Sequence, residues 1–149
     1  MGNLSIAALL PRLLWSYLAS LCFGVLFALR GKKLFVAAFA GLLSWLIYSV
    51  GAALLPDAIP AYFCATCGMT LYCELCARAL RSPATVFLAP GLIPLVPGSG
   101  IYRTMIFCIH GRSVMAGEAV VRTISIAGAL AAGIVLVTTV MRLVPHGKR

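Results

Sequence analysis

The chain has 149 residues, of which 62% are hydrophobic and only 10% are charged, and its formal net charge is +9. A soluble domain is nearer to about 45–50% apolar and about 25% charged, so this composition excludes an ordinary soluble protein. Nucleic-acid binders carry their basic residues on one folded soluble face, whereas here they stand mainly in short gaps between apolar runs. The composition predicts an all-α integral membrane protein that binds no nucleic acid.

Apolar runs long enough to cross a bilayer, at about 20 residues each, follow one another along the chain. They cover residues 6–29, 34–55, 58–80, 84–109 and 119–141, with a polar connector at 110–118 and a basic tail at 142–149. We therefore expect a single membrane domain over residues 1–149, with five spans and the lipid bilayer as its solvent. The first five residues include no basic residue, so a cleaved signal peptide is not expected.

The short loops differ in charge and so predict an orientation. Basic residues concentrate at 30–33, 78–81 and 142–149, three places that share one side of the membrane if there are five spans. The positive-inside rule then puts the C-terminus in the cytoplasm and the N-terminus outside, in a plasma membrane. In a four-span alternative the fourth run is re-entrant, and the basic tail then lies opposite the 78–81 loop. Five spans fit the charges better.

The fourth run contains Pro90, Pro94 and Pro97, followed directly by Gly98-Ser99-Gly100. A proline inside a helix removes a backbone hydrogen bond and costs about 3 kcal/mol or more. Unpaired backbone in lipid costs several kcal/mol per group, so the run must face protein or a water-filled cavity. We predict that the fourth span is broken at residues 94–100. The alternative is a kinked helix whose freed backbone groups are bonded by neighbouring Ser or Thr side chains.

The residues after the break are compatible with a helix, and Ser99 is its candidate N-cap. A half-helix beginning at mid-membrane would offer free N–H groups and its positive dipole end to a carboxylate, as in transporters with discontinuous helices. The predicted substrate path comprises Pro94, Pro97, Gly98, Ser99, Gly100, Tyr102 and Arg103. Three interpretations of Arg103 stay open: it neutralises a substrate carboxylate, pairs with an acid of a partner chain, or snorkels to the interface.

A pair of oppositely charged residues lies at the end of the third apolar run. Glu74 and Arg78 are four residues apart, in the order that favours an ion pair on a helix. The structural interpretation is that ion pair. The functional interpretation is a protonatable carboxylate that couples transport to H⁺.

Four of the six cysteines form Cys64-x-x-Cys67 and Cys73-x-x-Cys76, a pattern that suggests a metal or iron–sulfur site. At about 100° per residue the two pairs face opposite sides of one helix and cannot close on one ion. We predict small packing cysteines, no metal and no cofactor, although two-cysteine sites completed by a partner stay open. No Ser/His/Asp set and no paired carboxylates lie in any span, so no enzyme is predicted.

Two segments resemble the threonine/serine exporter family, with the likeness sharpest over residues 74–105. They are Leu80-Arg81-Ser82-Pro83-Ala84-Thr85-Val86-Phe87 and Ile93-Pro94-Leu95-Val96-Pro97-Gly98-Ser99-Gly100-Ile101-Tyr102. The chain is similar to the short, separately encoded C-terminal half found in bacterial two-component exporters. The resemblance implies a secondary transporter in the bacterial inner membrane, assembled with a larger subunit. It also implies proton-driven export of small amino or dicarboxylic acids.

Together these features predict the small subunit of a proton-coupled exporter of threonine, serine or related carboxylates. Its expected partners are a larger subunit of the same family, or further copies of itself, and a small carboxylate-bearing substrate. The alternative is an accessory or scaffold membrane subunit that contains no substrate path. If the larger subunit alone exports at the full rate in proteoliposomes, this chain is a scaffold.

Overall fold

The computed structural model describes residues 6–143, and the regular structure in this range is entirely helical, which confirms the predicted fold class. The helices are α1 (Ile6–Leu26), α2 (Lys32–Leu54), α3 (Ala58–Leu80), α4 (Thr85–Leu92), α5 (Gly98–Ile109) and α6 (Ser113–Leu143), with a 3₁₀ turn at Ile93–Leu95. The predictions for the first five residues and for 144–149 of the basic tail lie outside the described residues.

Three helices, α1, α2 and α6, are long and apolar enough to cross a membrane, and the α4–α5 pair qualifies as one further, bent span. The fifth candidate, α3, has 23 residues, which is long enough. It carries more polar groups, and two of these, Thr66 and Thr70, are fully buried against protein. The chain is thus a helical membrane protein with three to four candidate spans, and the count of five stays a prediction.

The core lies where α2, α3 and α4 meet. Ala37, Ala40, Met69, Cys73 and Phe87 form one buried cluster, and small residues let the helices approach closely. A Cβ added to Gly91 of α4, for example, would come within 3.0 Å of both Ala40 and Met69. In lipid, where helices gain little from hydrophobic association, such close contact is a main source of stability. The N-terminal half of the broken span is therefore embedded in protein.

The predicted basic segments 30–33 and 78–81 meet the described end of α6 at one end of the bundle, here called the basic end. Leu29, Leu80 and Ala84 pack on the same core cluster, which brings the α1–α2 and α3–α4 turns together. Arg78 Nη2 donates a hydrogen bond to the Met141 carbonyl, which places the end of α6 beside them. The α2–α3 and α5–α6 turns lie at the opposite end.

The predicted polar connector at 110–118 is wrong in extent. Only residues 110–112 form a turn, with Gly111 at φ +68°, and α6 begins at Ser113. Polar residues do not by themselves end a helix, and residues 113–118, which contain no proline, form the first turns of one long helix. With 31 residues, α6 is about 46 Å long, against a hydrocarbon core of about 30 Å. One end of this helix must therefore project beyond the hydrocarbon.

Candidate functional site

The break in the fourth span is present and is shorter than predicted. The helical path bends by 48° between Thr85–Leu95 and Gly98–Ile109. Only Val96 (φ −59°, ψ 127°) and Pro97 (φ −76°, ψ 54°) leave helical geometry. Pro94 and Pro97 cannot donate to the preceding turn, which explains why the α-helix ends before them.

Ser99 is not the N-cap of α5, as its sequence position suggested. Pro97 caps the helix without a side-chain hydrogen bond, and Ser99 lies in the first turn. A tight turn, in which the Gly98 N–H bonds the Val96 carbonyl at 2.8 Å, starts the helix earlier. The Gly100 N–H donates to the Pro97 carbonyl at 3.0 Å. Among the N–H groups of Gly98, Ser99 and Gly100, that of Ser99 is the one without a backbone acceptor in the described chain.

On the α4 side of the break, a serine side chain supports the helix end. Ser44 Oγ of α2 lies 2.8 Å from the Gly41 carbonyl and 3.2 Å from the Gly91 carbonyl of α4. Ser16 of α1 also donates to the Gly41 carbonyl, at 2.7 Å. One hydroxyl from a neighbouring helix, that of Ser44, thus supports the α4 half, as the alternative interpretation expected, while the α5 half borders a cavity.

A cavity of about 510 Å³ opens at the end opposite the basic end, between α2, α3, α5 and α6. Four residues of the predicted path line it: Pro97, Ser99, Gly100 and Arg103. The other three do not: Pro94 lies against Gly41 of α2, while Gly98 and Tyr102 are exposed on α5.

The cavity also contains charges contributed by α6. Glu118 and Arg122 lie one turn apart on that helix and line the cavity together with Arg103 of α5. Arg122 was not among the predicted site residues, although its position three residues inside an apolar run is a signal of function. Glu118 had been assigned to the connector. The site therefore holds two guanidinium groups and one carboxylate, and Arg103 has an acid of its own chain beside the same cavity.

Aromatic side chains form another part of the wall. Tyr48 of α2 and Tyr62 of α3 both line the cavity, and their ring centroids are 4.4 Å apart. Trp45 also contacts Tyr48, with ring centroids 5.2 Å apart and the ring planes tilted by 44°. These aromatic contacts help to hold the two tyrosines in place and give the cavity an amphipathic face.

The depth of the site in the membrane follows from its position along α6. About 20 residues separate Arg122 from Arg142, which is the length of one bilayer crossing. Gly100 packs directly against Thr123, so α5 begins at the level of Arg122. The half-helix thus begins nearer to the membrane surface opposite the basic end than to the mid-membrane level expected from the sequence.

A family model described as threonine/serine exporter, ThrE, matches residues 12–140. The chain belongs to the threonine/serine exporter family. The match confirms the resemblance and makes the chain an exporter-type membrane transporter, in a family of transporters rather than enzymes. Comparison with curated proteins and with solved structures gave no match.

The predicted ion pair at the end of α3 in this exporter lies away from the first cavity. Glu74 and Arg78 line another cavity, of about 420 Å³, at the basic end, together with Arg81 and Ser82. Arg78 bonds the Met141 carbonyl of α6. The ion pair and the proton-coupling role both stay predictions for Glu74.

The exporter's cysteines are all free thiols in different surroundings. Cys73 is fully buried beside Met69 and Phe87, as expected of a packing cysteine. Cys67 Sγ lies 4.0 Å from the Gly133 carbonyl, and Cys64 is exposed. Within residues 6–143, no three His, Cys, Asp or Glu side chains are grouped as a metal site requires.

Proposed function

We propose that the chain is the small subunit of a proton-coupled exporter that moves threonine, serine or a related small carboxylate out across the bacterial plasma membrane. The observation that carries this proposal is the grouping of Arg103, Arg122 and Glu118 around one cavity at the broken span. Charged side chains that face a cavity between membrane helices usually mark a transport path.

The carboxylate of the substrate would bind Arg103 and Arg122. Guanidinium groups hold carboxylates through paired, charge-assisted hydrogen bonds, which are roughly twice as strong as neutral ones. The first turn of α5 adds the positive end of a helix dipole and the Ser99 N–H. This part of the site recognises any small carboxylate and does not select an amino acid.

Glu118 supplies the selection between substrate classes. Its carboxylate matches the α-ammonium group of an amino acid and repels the second carboxylate of a dicarboxylic acid. We therefore assign threonine or serine as the preferred substrate, with dicarboxylates as the weaker class. The wall of Tyr48 and Tyr62 adds apolar surface for the short side chain.

A larger subunit of the family would complete the site. Helix α5 packs on α6, and none of its residues is buried. Ile101, Tyr102 and Met105 are more than half exposed on its outer face. We propose that the partner covers this face and closes the cavity; further copies of this chain are the alternative occupant.

Proton coupling requires a titratable group on the substrate path, and a carboxylate is suited to this role. Glu118 meets that condition, whereas Glu74, the acid expected from the sequence, lies in the cavity at the basic end. With the basic end in the cytoplasm, as the positive-inside rule favours, the first cavity opens outward.

The test uses proteoliposomes that contain both subunits and labelled threonine. Arg122→Gln should lower threonine efflux at least about tenfold, since a hydrogen bond to a charged group is worth about 1.5–3 kcal/mol. The matched control is Arg112→Gln, because Arg112 is an exposed arginine of the adjacent turn that does not line the cavity. Equal rates for the two variants would refute the proposed site. Full export by the larger subunit alone would instead identify this chain as a scaffold.

A further inference from the structure

One face of α3 forms a groove with α6 that is apolar in one part and charged in the other. Cys67 and Leu71 line an apolar cavity of about 310 Å³, whose other wall is Leu136, Val137, Val140 and Met141 of α6. Farther along the same helix, Glu74, Arg78 and Arg81 line the cavity at the basic end. These five α3 residues recur every three or four positions and therefore share one face. Met141 joins the two parts, because it lines the apolar cavity while its carbonyl accepts from Arg78.

The length of this groove matches one leaflet of a bilayer. From Cys67 to Arg78 the helix rises about 16 Å at about 1.5 Å per residue. Half of a hydrocarbon core of about 30 Å is about 15 Å. Leu71, Leu136 and Val140 are 45–51% exposed along the groove, so an elongated apolar molecule has access to it.

The basic end of the groove has unused hydrogen-bond donors. A guanidinium group has five N–H donors. Arg78 uses Nη2 on the Met141 carbonyl, while its Nε is buried and has no acceptor among residues 6–143. Arg81 is exposed at the C-cap of α3. Of the charged residues that line this cavity, Arg78 and Arg81 are basic and Glu74 is acidic, so the cavity carries a net charge of +1.

We propose that this groove binds a phospholipid, with an acyl chain between α3 and α6 and the phosphate on Arg78 and Arg81. Basic pockets between membrane helices on the cytoplasmic side are suited to lipid headgroups. The residual positive charge favours an anionic lipid such as phosphatidylglycerol over phosphatidylcholine. The groove is separate from the proposed substrate path, because Arg78 lies about 160° around α3 from Tyr62, which lines the first cavity.

The test measures lipid binding to the full-length chain purified in detergent, by native mass spectrometry and by thermal stabilisation. Phosphatidylglycerol should bind and raise the unfolding temperature more than phosphatidylcholine does. Arg81→Gln should weaken phosphatidylglycerol binding about fivefold, the effect of one basic residue near a lipid surface. Arg30→Gln is the matched control, because Arg30 is exposed at the same end but does not line the groove.

A second pair of variants tests the acyl chain independently of charge. Val140→Trp should fill the groove and lower lipid binding, while Val135→Trp, at an exposed α6 position outside the groove, should not. If Arg81→Gln matches Arg30→Gln and Val140→Trp matches Val135→Trp, the lipid proposal is refuted. Inorganic phosphate that stabilises the chain as well as phosphatidylglycerol would refute it too, since the site would then hold a free anion.

Discussion

Gly100 of α5 lies so close to Thr123 of α6 that a Cβ at position 100 would overlap the Thr123 hydroxyl. The Thr123 hydroxyl is itself fixed, since it donates to the Ala119 carbonyl at 2.7 Å. Because α6 is the helix on which α5 packs, this contact sets the position of the half-helix and, with it, of Arg103 beside the cavity.

Gly100→Ala should therefore destabilise the chain by about 1–3 kcal/mol, the usual cost of overpacking, and lower threonine efflux by displacing α5. Gly98→Ala is the matched control, because nothing lies within 4 Å of a Cβ at Gly98. Thermal unfolding in detergent measures the first effect. The double variant Gly100→Ala/Thr123→Ala should recover most of the lost stability, and failure to recover would show that the contact is not the cause.

Glu118→Gln should change the choice of substrate as well as the rate. Without the carboxylate, proton coupling should be lost for both substrates, but threonine efflux should fall about tenfold more than dicarboxylate efflux, because the contact to the ammonium group is lost and the repulsion of the second carboxylate is gone. Asp57→Asn is the control, since Asp57 is an exposed acid at the same end that does not line the cavity. An unchanged ratio of the two efflux rates in proteoliposomes would contradict the role given to Glu118.

Ser44→Ala should weaken the support of the α4 end. The variant removes the hydroxyl shared by the Gly41 and Gly91 carbonyls, at an expected cost of about 0.6–1 kcal/mol. Ser125→Ala is the comparison, because the Ser125 hydroxyl bonds only the Val121 carbonyl of its own helix. Unfolding free energies that do not differ between the two variants would argue against a structural role for Ser44.

The proposed orientation predicts which cysteines a membrane-impermeant maleimide reaches. Cys108 is exposed near the α5–α6 turn and should react in intact cells when it is the only cysteine. Arg30→Cys, placed at the basic end in a cysteine-free chain, should react only after lysis. The reverse pattern would show that the basic end faces outward.

The sequence allowed the helical membrane fold, its family and the position of the break to be predicted, because proline and apolar run length act locally. Pro94 and Pro97 end a helix wherever they occur. The N-cap was misjudged because the turn that bonds Gly98 to Val96 depends on the backbone angles of Pro97. Serine preference at N-caps gives no information about such a turn.

The composition of the cavity could not be predicted, because it depends on how distant segments meet. Tyr48, Tyr62 and Arg122 come from three helices, and no spacing in the chain relates them. Arg103 was identified because it follows the break directly. Because the first residues of α6 are polar, the sequence places Glu118 in a loop. In the structure these residues belong to a helix that is longer than the bilayer is thick.

The length of α6 also bears on the energy of substrate release. The helix extends about ten residues beyond Arg122, on the side away from Arg142. A substrate held at that level stands at the edge of the hydrocarbon, where water reaches its ammonium and carboxylate groups. The substrate thus avoids most of its dehydration cost at this site. The highest free-energy barrier to its passage should lie deeper in the membrane, between Pro97 and the basic end. Binding here should therefore weaken with added salt, as contacts between hydrated charges do.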